Sequence, residues 1–153
     1  MPTLSSLGPG PRLLASSSRL DLTTCRQLLA SASNGHLAIS QGALPVVAFV
    51  TCTVDGGDLL VRARAGFAGR AAPEPEVVAF ETGGISTDGM CAWEVLVQGR
   101  AIAEPATPGG ARRSPPQFFV GEAMSVVLRV SMERVTGWRY RVSGEVKEVV
   151  RGN

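Results

Sequence analysis

Histidine and lysine are almost missing from this 153-residue chain, with His36 and Lys147 as the single examples. One imidazole cannot build a zinc site of several histidines or the paired histidines of an H-E-x-x-H helix. A Ser-His-Asp triad would have to use His36, and no G-x-S-x-G elbow is present to carry its serine. A P-loop is absent, as is a G-x-G-x-x-G turn after a strand. Cys25, Cys52 and Cys91 form an odd set with no C-x-x-C pair, which reads as small buried hydrophobes in a reducing compartment. No apolar run approaches the roughly 20 residues that span a bilayer. The first 18 residues lack an apolar segment behind a basic start, so a cytoplasmic protein is expected rather than a secreted one. An enzyme with these absences would draw its reactivity from a bound cofactor.

What is present fits one modest domain. The net charge is only +2, and nearly all the basic residues are Arg. That bias accompanies abundant Ala, Gly and Val, so it does not point to nucleic acid. Residues 1–19 read as a flexible arm, 20–142 as the folded domain and 143–153 as a C-terminal extension. Leu22, Cys25, Leu28, Leu29 and Ala32 recur at helical spacing. Thr24 and Gln27 suggest a capping box, and Asn34-Gly35 suggests the helix end.

From His36 the pattern becomes that of strands. Leu37–Ser40 and Pro45–Val54 flank a turn at Gln41-Gly42. Asp55-Gly56-Gly57-Asp58 is a hairpin connection, because glycine supplies the positive φ that such turns need. The return strand Leu59–Arg64 places Leu60, Arg62 and Arg64 on one face and Leu59, Val61 and Ala63 on the other. Pro73 and Pro75 interrupt any helix after it. Further strands are expected at Val77–Thr82, Cys91–Glu104, Ala123–Glu133 and Val135–Val142. The expected fold is mainly β: a six- to seven-stranded antiparallel barrel with a short N-terminal helix, closed so as to remove its edges.

The order of these segments resembles the pyridoxamine 5'-phosphate oxidase-like, FMN-binding split-barrel family. Leu28–Ala38 is similar to its opening helix and "G-R-L-A" strand. Leu44-Pro45-Val46-Val47, with Val54–Gly57, resembles its second strand and hairpin. Val77–Glu81, Trp93–Ala101 ("W-S-V-x-V-x-G-x-A") and Met132–Arg139 ("P-E-R-V-x-G-R-R") resemble later strands. The resemblance covers about residues 22–141. It implies a homodimer with FMN near the interface and a small-molecule redox substrate; deazaflavin or haem are the alternatives within the superfamily.

The family's phosphate motif, "F-R-T-x-x-G-x-K", corresponds to Val61–Ala68. Arg62 and Gly66 match, whereas Ala63 stands at the Thr position and Ala68 at the Lys position. An arginine fork suits a phosphate. The resemblance therefore implies Arg62 as the phosphate ligand, with Arg64 or Arg70 helping and Gly66 in the motif. It implies Val46, Val47 and Ala48 along the ring by backbone contacts. Trp93 is a candidate for the flavin site, or a filler of the core or dimer seam. His36 reads as a partly exposed strand residue, and Trp138–Arg141 as a strand at the dimer edge rather than a nucleic-acid stacking surface. A competing expectation is a non-catalytic binding or regulatory module that kept the barrel and lost the flavin.

Overall fold

The computed structural model describes residues 14–68, 75–104, 114–116 and 125–143. Among them, eight strands and two helices run in the order β1 (Leu14–Arg19), α1 (Leu22–Ser31), β2 (Asn34–Gln41), β3 (Leu44–Asp55), β4 (Asp58–Arg64), α2 (Ala65–Ala68), β5 (Glu76–Ile85), β6 (Cys91–Ala103), β7 (Ser125–Val130) and β8 (Arg134–Ser143). The sheet is antiparallel in the order β1-β8-β6-β5-β2-β3-β4-β7, and β6 also pairs with β7. Six strands thereby close into a barrel.

The split arises on β6. Along one edge it pairs with β5 from Ala92 to Ala101. Along the other, Cys91–Gln98 pairs with β8 and Ala101–Ala103 with β7. Gly99 sits at the fork, buried, where the Ser131 backbone crosses so closely that no Cβ fits. Two tight turns set the hairpins. Gly56 and Gly57 have φ of 60° and 91°, which glycine adopts without steric cost. Gly42 is joined at positive φ by Ala43, at 66°.

The interior follows the period-two pattern. Leu59, Val61 and Ala63 of β4 are fully buried, together with Leu37, Val50, Phe80, Val95, Val97 and Val130 from the other strands. Cys25 and Leu29 bring α1 onto this core. Gly137 of β8 lets the helix approach, since a Cβ there would stand 2.6 Å from the Cys25 sulfur.

Five features differ from the sequence expectation. Residues 14–19 of the expected arm form β1 against β8, which raises the strand count to eight; residues 1–13 and 144–153 lie outside the described region. The helix starts at Asp21 rather than Thr24, because the Asp21 carboxylate accepts from the Thr24 amide at 2.7 Å. It ends at Ala32, in extended conformation, and Asn34-Gly35 already belongs to β2. Gly35 serves close packing there, not a helix cap: a Cβ would stand 2.6 Å from the Phe80 ring. Gly83–Ile85, expected in a loop, continues β5. Cys25 and Cys52 are buried as expected, whereas Cys91 is exposed.

Candidate outer-face site

Directly paired residues in a sheet share a face, so register alone assembles the candidate site. On β3 the core takes Val50 and Cys52; Val47 and Phe49 stand exposed on the opposite face, and Thr51, on that same face, is fully buried. Val47 is 62% and Phe49 50% exposed. Thr51 pairs with Arg62 on β4, and Phe49 pairs with His36 on β2. His36 pairs in turn with Glu81 on β5. One outer face therefore carries, in sequence across the strands, a guanidinium, an apolar strip and an acid–imidazole pair. Arg62 and His36 lie two strands and two residues apart, about 12 Å between Cα atoms at standard sheet spacings.

Arg62 is held at three points. Its Nε donates to the Pro115 carbonyl at 3.4 Å, Nη1 to Ser125 Oγ at 3.2 Å and Nη2 to Ser114 Oγ at 2.9 Å. Thr51 Oγ1 donates to the Pro116 carbonyl at 2.5 Å, pinning the same short strap. A guanidinium carries five N–H donors, and three of them are used among the described residues. Among the described residues no carboxylate pairs with Arg62.

At the other end lies a groove of about 540 Å³ lined by residues that include His36, Glu81, Gly84, Trp93, Glu94 and Tyr140. His36 Nδ1 stands 3.6 Å from Glu81 Oε2. The ring meets Phe49 edge-on, with centroids 6.2 Å apart. Tyr140 donates to Glu94 Oε1 at 2.6 Å, and that hydrogen bond, with the carboxylate charge, raises the phenol above its ordinary pKa. Trp93 lies across Gly84, where a Cβ would stand 2.8 Å from the indole nitrogen.

The sequence candidates separate on this frame. Arg62 and Val47 face outward together. Val46 and Ala48 turn toward the core and pack against it, so only their backbone lies near the strip. Arg64 is exposed, and Gly66 lies in the single turn of α2. Arg70 and the side chain of Ala68 lie outside the described region. Ala63 is fully buried on the inner face, pointing away from Arg62. Trp93 lines the groove and also touches the core. Sequence reasoning missed Phe49, Glu81, Ser114 and Ser125. Phe49 and Glu81 follow from strand alternation once the β2 register is known, and Ser125 from the pairing of β7 with β4, whereas Ser114 sits in a connection that no periodicity addresses.

The residues present fit a flavin nucleotide. A flat aromatic ring suits the exposed Val47–Phe49 strip, and a phosphate suits a guanidinium that no carboxylate pairs with among the described residues.

Among solved structures, the chain is similar to a FAD-binding protein from Mycobacterium smegmatis, with 20% identity, TM-score 0.60 and coverage of 82% of this chain and 100% of that one. It is similar to a FAD-binding protein from Mesorhizobium loti, with 20% identity, TM-score 0.63 and coverage of 80% and 97%. A FAD- and haem-binding protein from Mycobacterium smegmatis matches at 12% identity and TM-score 0.53, covering 83% of this chain and 73% of that one. At such identities these likenesses show the split-barrel fold. No curated protein matches the chain in sequence. A family profile described as pyridoxamine 5'-phosphate oxidase matches residues 21–139, from the N-cap of α1 to the middle of β8. Every element that builds the barrel and its outer face except β1 falls at least largely within that match, and the chain belongs to the pyridoxamine 5'-phosphate oxidase family.

Proposed function

We propose that this protein binds a flavin nucleotide, FMN first, on the outer face of β3 and β4 and acts as a flavin-dependent oxidoreductase on a small molecule. The observation that carries this is the placement of Arg62, which no carboxylate pairs with among the described residues, at one end of the exposed Val47–Phe49 strip. The flavin-binding proteins among the structural neighbours support it. Arg62 would hold the phosphate, and Gly66 would sit beside it. Val46, Val47 and Ala48 would meet the ring through backbone groups. When bound, the flavin would supply hydride or electron transfer. His36, with Glu81 beside Nδ1, would hold or accept a proton in the groove, and Trp93 would wall off that end from water.

A homodimer and a cytoplasmic location belong to the same proposal. Val47, Phe49, Val77 and Trp138 stand exposed on one outer face, where a second copy would bury them. Among the described residues no helix is long and apolar enough to cross a membrane.

The test is a thermal-shift and absorbance screen with FMN, FAD, a deazaflavin and haem, beside sedimentation of the protein alone. Ligand at one hundred times its dissociation constant stabilises by about 2.7 kcal/mol. A rise in melting temperature with FMN and a dimer mass are expected. A melting curve indifferent to all four compounds would leave the non-catalytic module as the better account.

A further inference from the structure

We propose that the groove between β2, β5, β6 and β8 is a subsite for an organic cation: Glu81 and Glu94 receive the ammonium group of the small-molecule substrate, and Trp93 and Tyr140 receive its apolar body. Only the ligand's role as substrate rests on the flavin assignment; the groove itself is formed by this chain's own residues. It opens where β2 and β5 part. β2 pairs with β5 only from His36 to Ala38, against Glu81 to Ala79, whereas β5 runs on beside β6 to Ile85. Gly83 and Gly84 lie in that stretch and project no side chain into it. A Cβ on Gly84 would stand 2.8 Å from the Trp93 indole nitrogen, and one on Gly83 would stand 3.3 Å from Glu81 Oε1. The two glycines thus make room for the indole and for one carboxylate. The space, about 540 Å³, falls within the roughly 300–1,000 Å³ of small-ligand sites.

Register brings the second carboxylate to the first. Glu81 pairs with Leu96 and Gly83 with Glu94, so Glu81 and Glu94 are diagonal neighbours on one face, about 7–8 Å apart at that spacing. Among the described residues lining the groove there is no Lys or Arg, and His36, beside Glu81, is the one group able to carry positive charge. Among the described residues, the Tyr140 bond to Glu94 Oε1 is the one hydrogen bond that either carboxylate accepts. An ammonium group brings three donors to these acceptor-only oxygens and offsets the repulsion between them. The walls make the fit specific to an organic cation, because a positive charge over the face of Trp or Tyr is attracted by the ring. Among the described residues no group of three His, Cys, Asp or Glu could hold a metal ion. An anion would meet only repulsion here, and a neutral molecule would gain apolar contact alone.

The experiment titrates the full chain, without flavin, by calorimetry near neutral pH and at low salt. The probes are benzylamine, which is protonated there, benzyl alcohol and benzoate, which share one ring and differ in charge. Wild type is compared with Glu81→Gln, Glu94→Gln and the double variant, and thermal melts establish that each is folded. Benzylamine should bind about tenfold more tightly than benzyl alcohol, and benzoate more weakly than either. Each glutamine should weaken benzylamine about tenfold, the scale of one hydrogen bond between charged groups, and leave benzyl alcohol unchanged. Added salt should weaken benzylamine as well. Equal affinity for benzylamine and benzyl alcohol overturns the cation site. So does undiminished benzylamine binding by the double variant, or no heat from benzylamine with wild type. Flavin binding is read separately. A protein that ignores the amine and still binds FMN loses the cation site and keeps the flavin assignment. One that binds the amine and ignores every flavin keeps the cation site and loses its part in flavin chemistry.

Discussion

Replacing Arg129 with methionine should destabilise the barrel substantially and in a pH-dependent way. Arg129 lies on the outer side of β7, where three carboxylates converge on it. Its Nε and Nη2 donate to the two oxygens of Glu104 at 2.8 and 3.0 Å, Nη2 reaches Asp55 at 3.1 Å and Nη1 reaches Asp58 at 3.4 Å. These partners tie the end of β6 to the β3–β4 hairpin, so one side chain clamps the barrel where β7 closes it. Methionine would keep much of the volume and leave three carboxylates facing one another. The side chains are partly solvated, with Arg129 24% and Asp55 16% exposed, so water offsets part of the loss. A loss of about 3 kcal/mol is expected, between the worth of one charged hydrogen bond and that of a fully buried pair. For a chain of this size that lowers Tm by roughly 6–12 °C.

The pH dependence follows from Glu104. Its hydrogen bond to Arg129 holds the carboxyl below its ordinary value despite partial burial. A group depressed in the folded state contributes stability above its unfolded pKa, about 4.3, and that contribution fades as pH falls through the folded value. The gap between wild type and Arg129→Met should therefore be widest near neutrality and narrow below about pH 4. Urea melts across this range measure it directly. A gap under about 1 kcal/mol at pH 7, or one that stays constant down to pH 3, would refute the clamp.

Other perturbations probe different parts of the structure. Phe80→Ala removes a fully buried ring that packs under Gly35 and should cost about 3–5 kcal/mol in urea melts. Gly35→Ala should lower stability by about 1–3 kcal/mol, since the new methyl group would meet the same ring, and a neutral result would contradict the tight β2–β5 approach. A thiol reagent should label Cys91 quickly in the native protein. Cys25 and Cys52 should stay protected until unfolding, because both are buried and burial pushes the Cys52 thiol up to about 12. Gly84→Ala should displace the Trp93 indole and shift the protein's tryptophan emission, whereas unchanged emission would place the indole elsewhere.

The barrel was legible in the sequence because its signals are local and repeated. Alternation along Leu59–Arg64 separates inner from outer residues, and the glycine pair after Asp55 fixes the hairpin. Misreadings cluster where a long-range contact overrides a local signal. Asn34-Gly35 carries the composition of a helix cap, but the approach of Phe80 from β5 claims the glycine for a strand. Ser16–Ser18 look too polar for a strand, and pairing with Arg139–Arg141 of β8 makes them one. Gly83-Gly84 reads as a loop and instead makes room for Trp93.

Half of the candidate site was legible, for a similar reason. Arg62 falls in a motif and on a predictable face. The groove was not foreseen, since His36, Glu81, Glu94 and Tyr140 come from four strands whose neighbours only the register reveals. The serines beside Arg62 are separated from it by more than fifty positions and meet it through the closure of β4 on β7.

The most direct measurement is a crystal structure grown with FMN. The phosphate should lie about 2.7–3.2 Å from an Arg62 nitrogen, with the ring over Val47 and Phe49. An FMN phosphate bound elsewhere, or density showing that face closed by protein with no flavin on it, would contradict the central claim.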